Sequence, residues 1–253
     1  MDSLQPRMDF FIEAARGKLK GISVIHKFGA NPAIGASSTE DIVHQGTFNW
    51  QTSATTMRIK AGNAADIDTS GAGARTVYVE GLDATWALAN DTLVCNGTSA
   101  GSAGSTSFIR IFRAYVLTCG TYTGNNTGDV VIENSAGGTD YLTIAAGYGQ
   151  TQSTGYTIPL GKTAYLTRVA ATVDAAKAVD MEFWQRRDAD DTSAPMSAKR
   201  LITKFPQLIG EAREKFDGYV SFPAKTDLWW TGTTGSGAAA AVEADYDLIL
   251  VDD

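Results

Sequence analysis

Val179-Asp180-Met181-Glu182-Phe183-Trp184-Gln185-Arg186 sets the fold class. Val179, Met181 and Phe183 fall on one face, and Asp180, Glu182, Trp184 and Arg186 on the other. Period two with one wet side is the pattern of a half-buried strand. Thr76-Val77-Tyr78-Val79-Glu80 alternates in the same way. Residues 108–117 read as a long strand broken only by Arg110 and Arg113, and so as central or covered on both faces. Residues 242–252 alternate and then end in Leu248-Ile249-Leu250-Val251, which suits a buried closing strand.

Further strands are expected over 22–28, 41–50, 56–60, 129–133, 141–145, 156–158, 163–173, 200–205, 218–222 and 227–230. Turn signals separate them, among them Gly62-Asn63, Asn125-Asn126, Gly137-Gly138 and Pro159-Leu160-Gly161-Lys162. Many short strands with frequent turns predict an all-β chain of two β-sandwich domains, jelly-roll or Ig-like. The polar stretch 149–154 marks the division into 21–150 and 151–253. Residues 97–105 and 231–241 are Gly-, Ala-, Ser- and Thr-rich, and are expected to be solvated loops or flat contact elements.

Residues 1–20 differ from the rest. Leu4, Met8, Phe11 or Ile12, Ala15 and Leu19 form one stripe of a helix, with Gly17 weakening its end. Such a helix is marginal alone, so Phe10, Phe11 and Ile12 need a surface to cover them, on the same subunit or on a neighbour. This helical arm is the first candidate interface. The second is Trp229-Trp230, whose side chains point to opposite faces of a strand, one into the core and one outward. Tyr122 and Tyr148, set among glycines, carry a similar signal.

Composition narrows the function classes. The chain has 253 residues, 26 Gly, 29 Thr and only 19% charged residues, which disfavours coiled coils and long solvated helices. Its net charge is −7 with no Lys/Arg-rich run, so no nucleic-acid partner is expected. No apolar run nears the roughly 18 residues that span a bilayer, so no membrane partner is expected either. The first residues lack a basic-then-apolar signal, and synthesis in a cytoplasm is the expectation. Cys95 and Cys119 read as buried free thiols, with a cross-strand disulfide as the alternative.

No catalytic motif emerges. Gly161-Lys162-Thr163 lacks the glycine five residues earlier that a phosphate loop needs, and a strand follows it where the helix should be. His26 and His44 are the only histidines and read as structural, so no metal site is expected. Asp188, Asp190 and Asp191 read as a solvated turn beside Arg186 and Arg187; they lack the glycine and distal Glu of a calcium loop. The one Gly-x-Ser-x-Gly spelling, Gly97-Thr98-Ser99-Ala100-Gly101, lies in the Gly-, Ala- and Ser-rich stretch and not at a strand-to-helix elbow. A glycosidase carboxylate pair would meet only in the folded chain. The expectation is a protein with no cofactor and no enzymatic activity.

Several stretches together resemble structural proteins of tailed bacteriophages, particularly those of phages of aquatic bacteria. They are Val24-Ile-His-Lys-Phe-Gly-Ala-Asn-Pro-Ala-Ile34, Gly62-Asn-Ala-Ala-Asp66, Gly73-Ala-Arg-Thr-Val77, Glu80-Gly-Leu-Asp83, Phe108-Ile-Arg-Ile-Phe-Arg-Ala-Tyr-Val116, Gly128-Asp-Val-Val-Ile-Glu-Asn134, Tyr156-Thr-Ile-Pro-Leu-Gly-Lys-Thr-Ala-Tyr-Leu166 and Leu248-Ile-Leu-Val-Asp-Asp253. They are strand-and-turn patterns that run from Val24 to the C-terminus. The resemblance implies a non-enzymatic virion component, a homo-oligomer whose partners are major capsid or tail and portal proteins. Capsid decoration or cementing is expected ahead of a tail, collar or fibre role. A host-surface glycan held by exposed Trp or Tyr is the competing expectation, and a polysaccharide hydrolase a further one.

Overall fold

A computed structural model describes residues 9–174, 177–235 and 239–253, without the side chains of 217–219. The described chain is all-β and sandwich-like. Helix α1 (Phe10–Ala15) precedes β1 (Ile22–Ile34), β2 (Thr39–Asp41), β3 (Thr55–Ala61), β4 (Ala74–Asp83), β5 (Leu88–Val94), β6 (Ser107–Cys119), β7 (Val130–Asn134) and β8 (Asp140–Ile144). There follow β9 (Tyr156–Thr157), β10 (Lys162–Val173), β11 (Val179–Arg186), β12 (Arg200–Leu208), β13 (Gly210–Phe222), β14 (Asp227–Thr234) and β15 (Ala240–Asp252).

Three antiparallel sheets result. The first is four-stranded in the order β1-β15-β10-β13; the second runs β12-β11-β14-β2 with β9 also on β14; the third is six-stranded in the order β5-β4-β6-β3-β7-β8. The first two enclose one core. Trp230, fully buried, lies 5.1 Å from Phe183, which in turn meets Tyr246 of the facing sheet at 4.8 Å. A second core of Met57, Ile59, Val77, Val79, Leu93, Phe108 and Ile132 belongs to the third sheet.

Sheet membership does not follow the expected division at residue 150. β1 pairs along its length with β15, and β2 pairs with β14, so both belong with strands from the second half of the chain. The polar stretch 149–154, where the division is expected, packs against the first half of the chain. Thr151, Ser153 and Thr154 are buried. Thr151 N donates to Ala114 O, Ser153 N to Phe28 O, and Thr154 Oγ1 to Ile42 O. Tyr246 Oη donates to Thr154 O at 2.8 Å. The polar side chains are there because buried backbone and hydroxyl groups must find partners.

Residues 97–105 are a loop, as expected, with Thr98, Ser99, Ser102, Ala103 and Ser105 exposed, but their backbone is tied down. Ala61 N donates to Gly97 O, Gly101 N to Ile59 O and Gly104 N to Met57 O, so the segment runs along β3. A Cβ at Gly101 would lie 2.5 Å from Val94 O, and one at Gly104 2.4 Å from Asp91 Oδ2. Glycine is required for this close approach. Gly101→Val should therefore destabilise the chain by about 1–3 kcal/mol, measured by denaturant unfolding; an unchanged midpoint would remove the packing argument.

Other expectations need correction. Residues 42–50 are not a strand, because Gly46 adopts φ 73° and a turn forms in which Gly46 N donates to Val43 O. β14 extends through Thr234, so 231–234 is strand and not loop. The expected helix over 1–20 spans only Phe10–Ala15 among the described residues; Leu4 and Met8 lie outside them. Asp9 caps its start, accepting from Phe11 N and Ile12 N. Gly17, at φ 67°, ends it: Gly17 N donates to Ala14 O and Lys18 N to Glu13 O. The face turned inward carries Glu13 and Ala14, whereas Phe10, Phe11, Ile12 and Ala15 stay exposed.

Candidate functional site

The two sequence-predicted interfaces part company. Phe10, Phe11 and Ile12 stand exposed, and Phe11 borders a groove of about 530 Å³ with Val24, Arg168, Lys215 and Phe216. Trp229 and Trp230 do point to opposite faces, but both faces are covered. Trp230 is sealed in the core against Phe183 and Phe205, and Trp229 packs edge-on to Trp50 at 5.7 Å. Alternation reports direction, not whether something lies on top. Neither tryptophan can reach a partner or a glycan from this chain.

Arg110, which broke the apolar run of β6, proves to be a buried tie between sheets. Its guanidinium meets Asp227 on β14 in a bidentate pair, Nε to Oδ1 and Nη2 to Oδ2, both 3.1 Å. Nη1 donates to the carbonyls of Gln51 and Ile109, and Nη2 also reaches Ala189 O. Trp50 and Trp86 flank the cation at 5.3 and 5.0 Å. Thr157 Oγ1 completes the set with a 2.6 Å bond to Asp227 Oδ1. With these groups mutually satisfied and sealed, the constellation holds sheets together and offers no surface to a substrate.

Asp66 is also buried and spent on structure. It accepts from the amides of Ala74, Thr127 and Gly128. Lys27 points inward and donates to Phe112 O. Burial, with help from Arg113, depresses its ammonium to about 7. Cys95 is a free, buried thiol pushed up to about 12, mainly by burial and then by Asp66 and Asp68, so it is a poor nucleophile. Cys119 is free and half-buried, so the cross-strand disulfide is absent.

On the outer face of the first sheet, Arg168 bridges Asp245 and Asp247, and His26 Nδ1 lies 2.6 Å from Asp247 Oδ1. Burial opposes ionisation of both carboxyls. At Asp247 the hydrogen bonds from Arg168 and His26 outweigh it and the carboxyl sits below its usual range; at Asp245 burial wins and it sits above. The network pins β1, β15 and β10 together where β10 bulges between Leu166 and Arg168. Asp188 and Asp190 diverge, the first bonded to Ser197 and the second paired with Lys225. Among the described residues no group of three or more His, Cys, Asp or Glu is placed to hold a metal ion.

A cleft of about 490 Å³ with mixed chemistry lies where β10 ends and β15 begins in the same sheet. Tyr148, His44, Gln152 and Asp174 line it, with Thr172 of β10 and Glu243 of β15, which are cross-strand partners. Tyr148 was legible as an aromatic between glycines and His44 only as a structural histidine; the remaining lining residues carried no sequence signal. Among the described residues no helix is long and apolar enough to cross a membrane.

No family model and no curated protein matches the chain. Among solved structures, it is similar to an Arthrobacter globiformis T6 isomalto-dextranase complexed with panose, at 12% identity and a TM-score of 0.22, over 90% of this chain and 35% of the enzyme. The chain thus spans about a third of that protein's length. It is also similar to VP2 of infectious bursal disease virus in derived T=1 particles, at 7% identity and a TM-score of 0.15, over 98% of this chain and 85% of that one. Likeness at these TM-scores carries no weight for fold or function.

Proposed function

We propose that the chain is a non-enzymatic structural component of a phage virion, built as two β-sandwich domains, with capsid decoration or cementing ahead of a tail, collar or fibre role. The observation that carries this reading is the arm. A six-residue helix, capped at both ends, displays Phe10, Phe11 and Ile12 to solvent at 43%, 47% and 57% exposure. Among its other described aromatics only Tyr122 and Tyr148 are exposed, yet the arm leaves three consecutive apolar side chains uncovered. A neighbouring subunit or capsid protein covers such a patch. Many weak contacts of this kind become strong on a symmetric particle through multivalency. The sealed ion pair, the spent Asp66 and the inert Cys95 fit a structural task.

The test is made on purified particles. Gel densitometry should show many copies per particle, following capsid symmetry; a ring or trimer count would move the protein to the tail or collar. Replacing Phe10, Phe11 and Ile12 together by serine should cut particle occupancy by about tenfold or more, with an unchanged melting temperature. Absence of the protein from particles, or full occupancy by the triple variant, would overturn the reading.

A further inference from the structure

We propose that the cleft beside Tyr148 is a binding site for a neutral saccharide unit. The inference holds whether or not the chain belongs to a virion.

Tyr148 is 62% exposed at the tip of the β8–β9 connection. It does not dangle there. Gly147 and Gly149 on either side adopt φ of 81° and 69°, conformations that favour glycine. Gly147 N donates to Asn126 O and Tyr148 N to Ala145 O. Asn125 Nδ2 donates to Gly147 O, and Gly149 N to Asn126 Oδ1. Asn126 is itself buried, its amide donating to the carbonyls of Gly128, Ile144 and Ala145. A buried asparagine thus fixes the backbone of the tip, which presents the Tyr148 side chain at the cleft before any ligand arrives. A loop backbone fixed in advance loses little entropy on binding.

The chemistry of the walls narrows the ligand. Thr172, Glu243, Gln152 and His44 share the lining with the ring. These supply an amide with donors and acceptors, a hydroxyl, an imidazole and a carboxylate, the mixed set that a rim of hydroxyl groups requires. An aromatic face serves the apolar C–H side of a pyranose. An apolar ligand would strand the polar side chains without partners. An anionic one would meet the exposed Glu243 carboxylate, and the described lining residues include no lysine or arginine. The volume, about 490 Å³, falls within the range of roughly 300–1,000 Å³ of small-molecule sites.

The full chain is titrated by saturation-transfer NMR and calorimetry with glucose, galactose, N-acetylglucosamine and their disaccharides, and with glucuronate as the anionic control. At least one neutral sugar should bind. Tyr148→Ala should weaken that binding by about tenfold or more while Tyr148→Phe retains it, both with the melting temperature of the parent. If Tyr148→Ala lowers the melting temperature, Glu243→Ala, on an exposed strand position, takes its place under the same criterion. Three results would overturn the proposal: no neutral sugar bound, binding that survives the decisive variant, or glucuronate bound as tightly as the best neutral sugar.

Discussion

Asp227→Ala is expected to destabilise the chain by about 3–5 kcal/mol, because it leaves the Arg110 guanidinium buried without its counter-ion. The loss exceeds that of an exposed ion pair, which is worth about 0–1 kcal/mol. Removing the carboxylate also strands Thr157 Oγ1. Asp227→Asn should cost less, since the amide oxygen still accepts one of the bonds. Replacing both partners, Arg110→Met with Asp227→Leu, should recover much of the loss, because no charge then remains in the interior. Denaturant unfolding followed by tryptophan fluorescence is a direct readout, as Trp50 and Trp86 flank the cation. A loss below about 1 kcal/mol for Asp227→Ala would mean that water reaches the pair and that the tie between β6 and β14 is weak.

That tie also shows where sequence reading stops. Arg110 was visible as a charge interrupting an apolar strand, but its partner lies 117 residues away and only the fold brings them together. Half-buried strands such as β11 and β15 were legible because one side of each is wet. β5 was missed. Asn90, Asp91 and Thr92 give this edge strand no apolar stripe, and only Leu93 is buried. The first half of β13 was missed for the same reason: Glu211, Arg213 and Lys215 alternate with residues only partly covered. Residues 97–105 and 149–154 were legible only in part. In 97–105 small side chains read as a solvated loop or flat contact element, and here they permit close backbone approach; in 149–154 polar side chains read as a division, yet they bond to buried backbone groups. The cleft was legible only in Tyr148, since its walls come from strands far apart in sequence. Trp229 and Trp230 carried the same outward-aromatic signal and were buried, because Trp50 lies over one face and the facing sheet over the other.

Lys27→Met should alter the pH dependence of stability in a direction that the fold dictates. Burial, and after it Arg113, hold the Lys27 ammonium at about 7, against an ordinary 10.5, with Glu80 opposing. Between these values the unfolded chain carries more protons than the folded one, so this residue makes stability rise with pH, by about 1.4 kcal/mol per unit at full effect. Below pH 7 both states are protonated and the cost of the buried charge is present in full. The methionine side chain has no such cost, although the Phe112 carbonyl then loses its donor, a penalty of about 1–3 kcal/mol. Lys27→Met should thus be the more stable protein at pH 6–7, and its advantage should shrink steadily from about pH 7 to pH 9. Other titrating groups act on both proteins alike. Asp41, raised to about 6 mainly by burial, makes stability fall as pH rises from about 4 to about 6. Cys95, raised to about 12, makes it fall above about pH 9. The difference between parent and variant therefore isolates Lys27. Equal slopes for the two proteins between pH 7 and 9 would show that the ammonium is hydrated in the folded chain and that the β1–β6 contact is open to water.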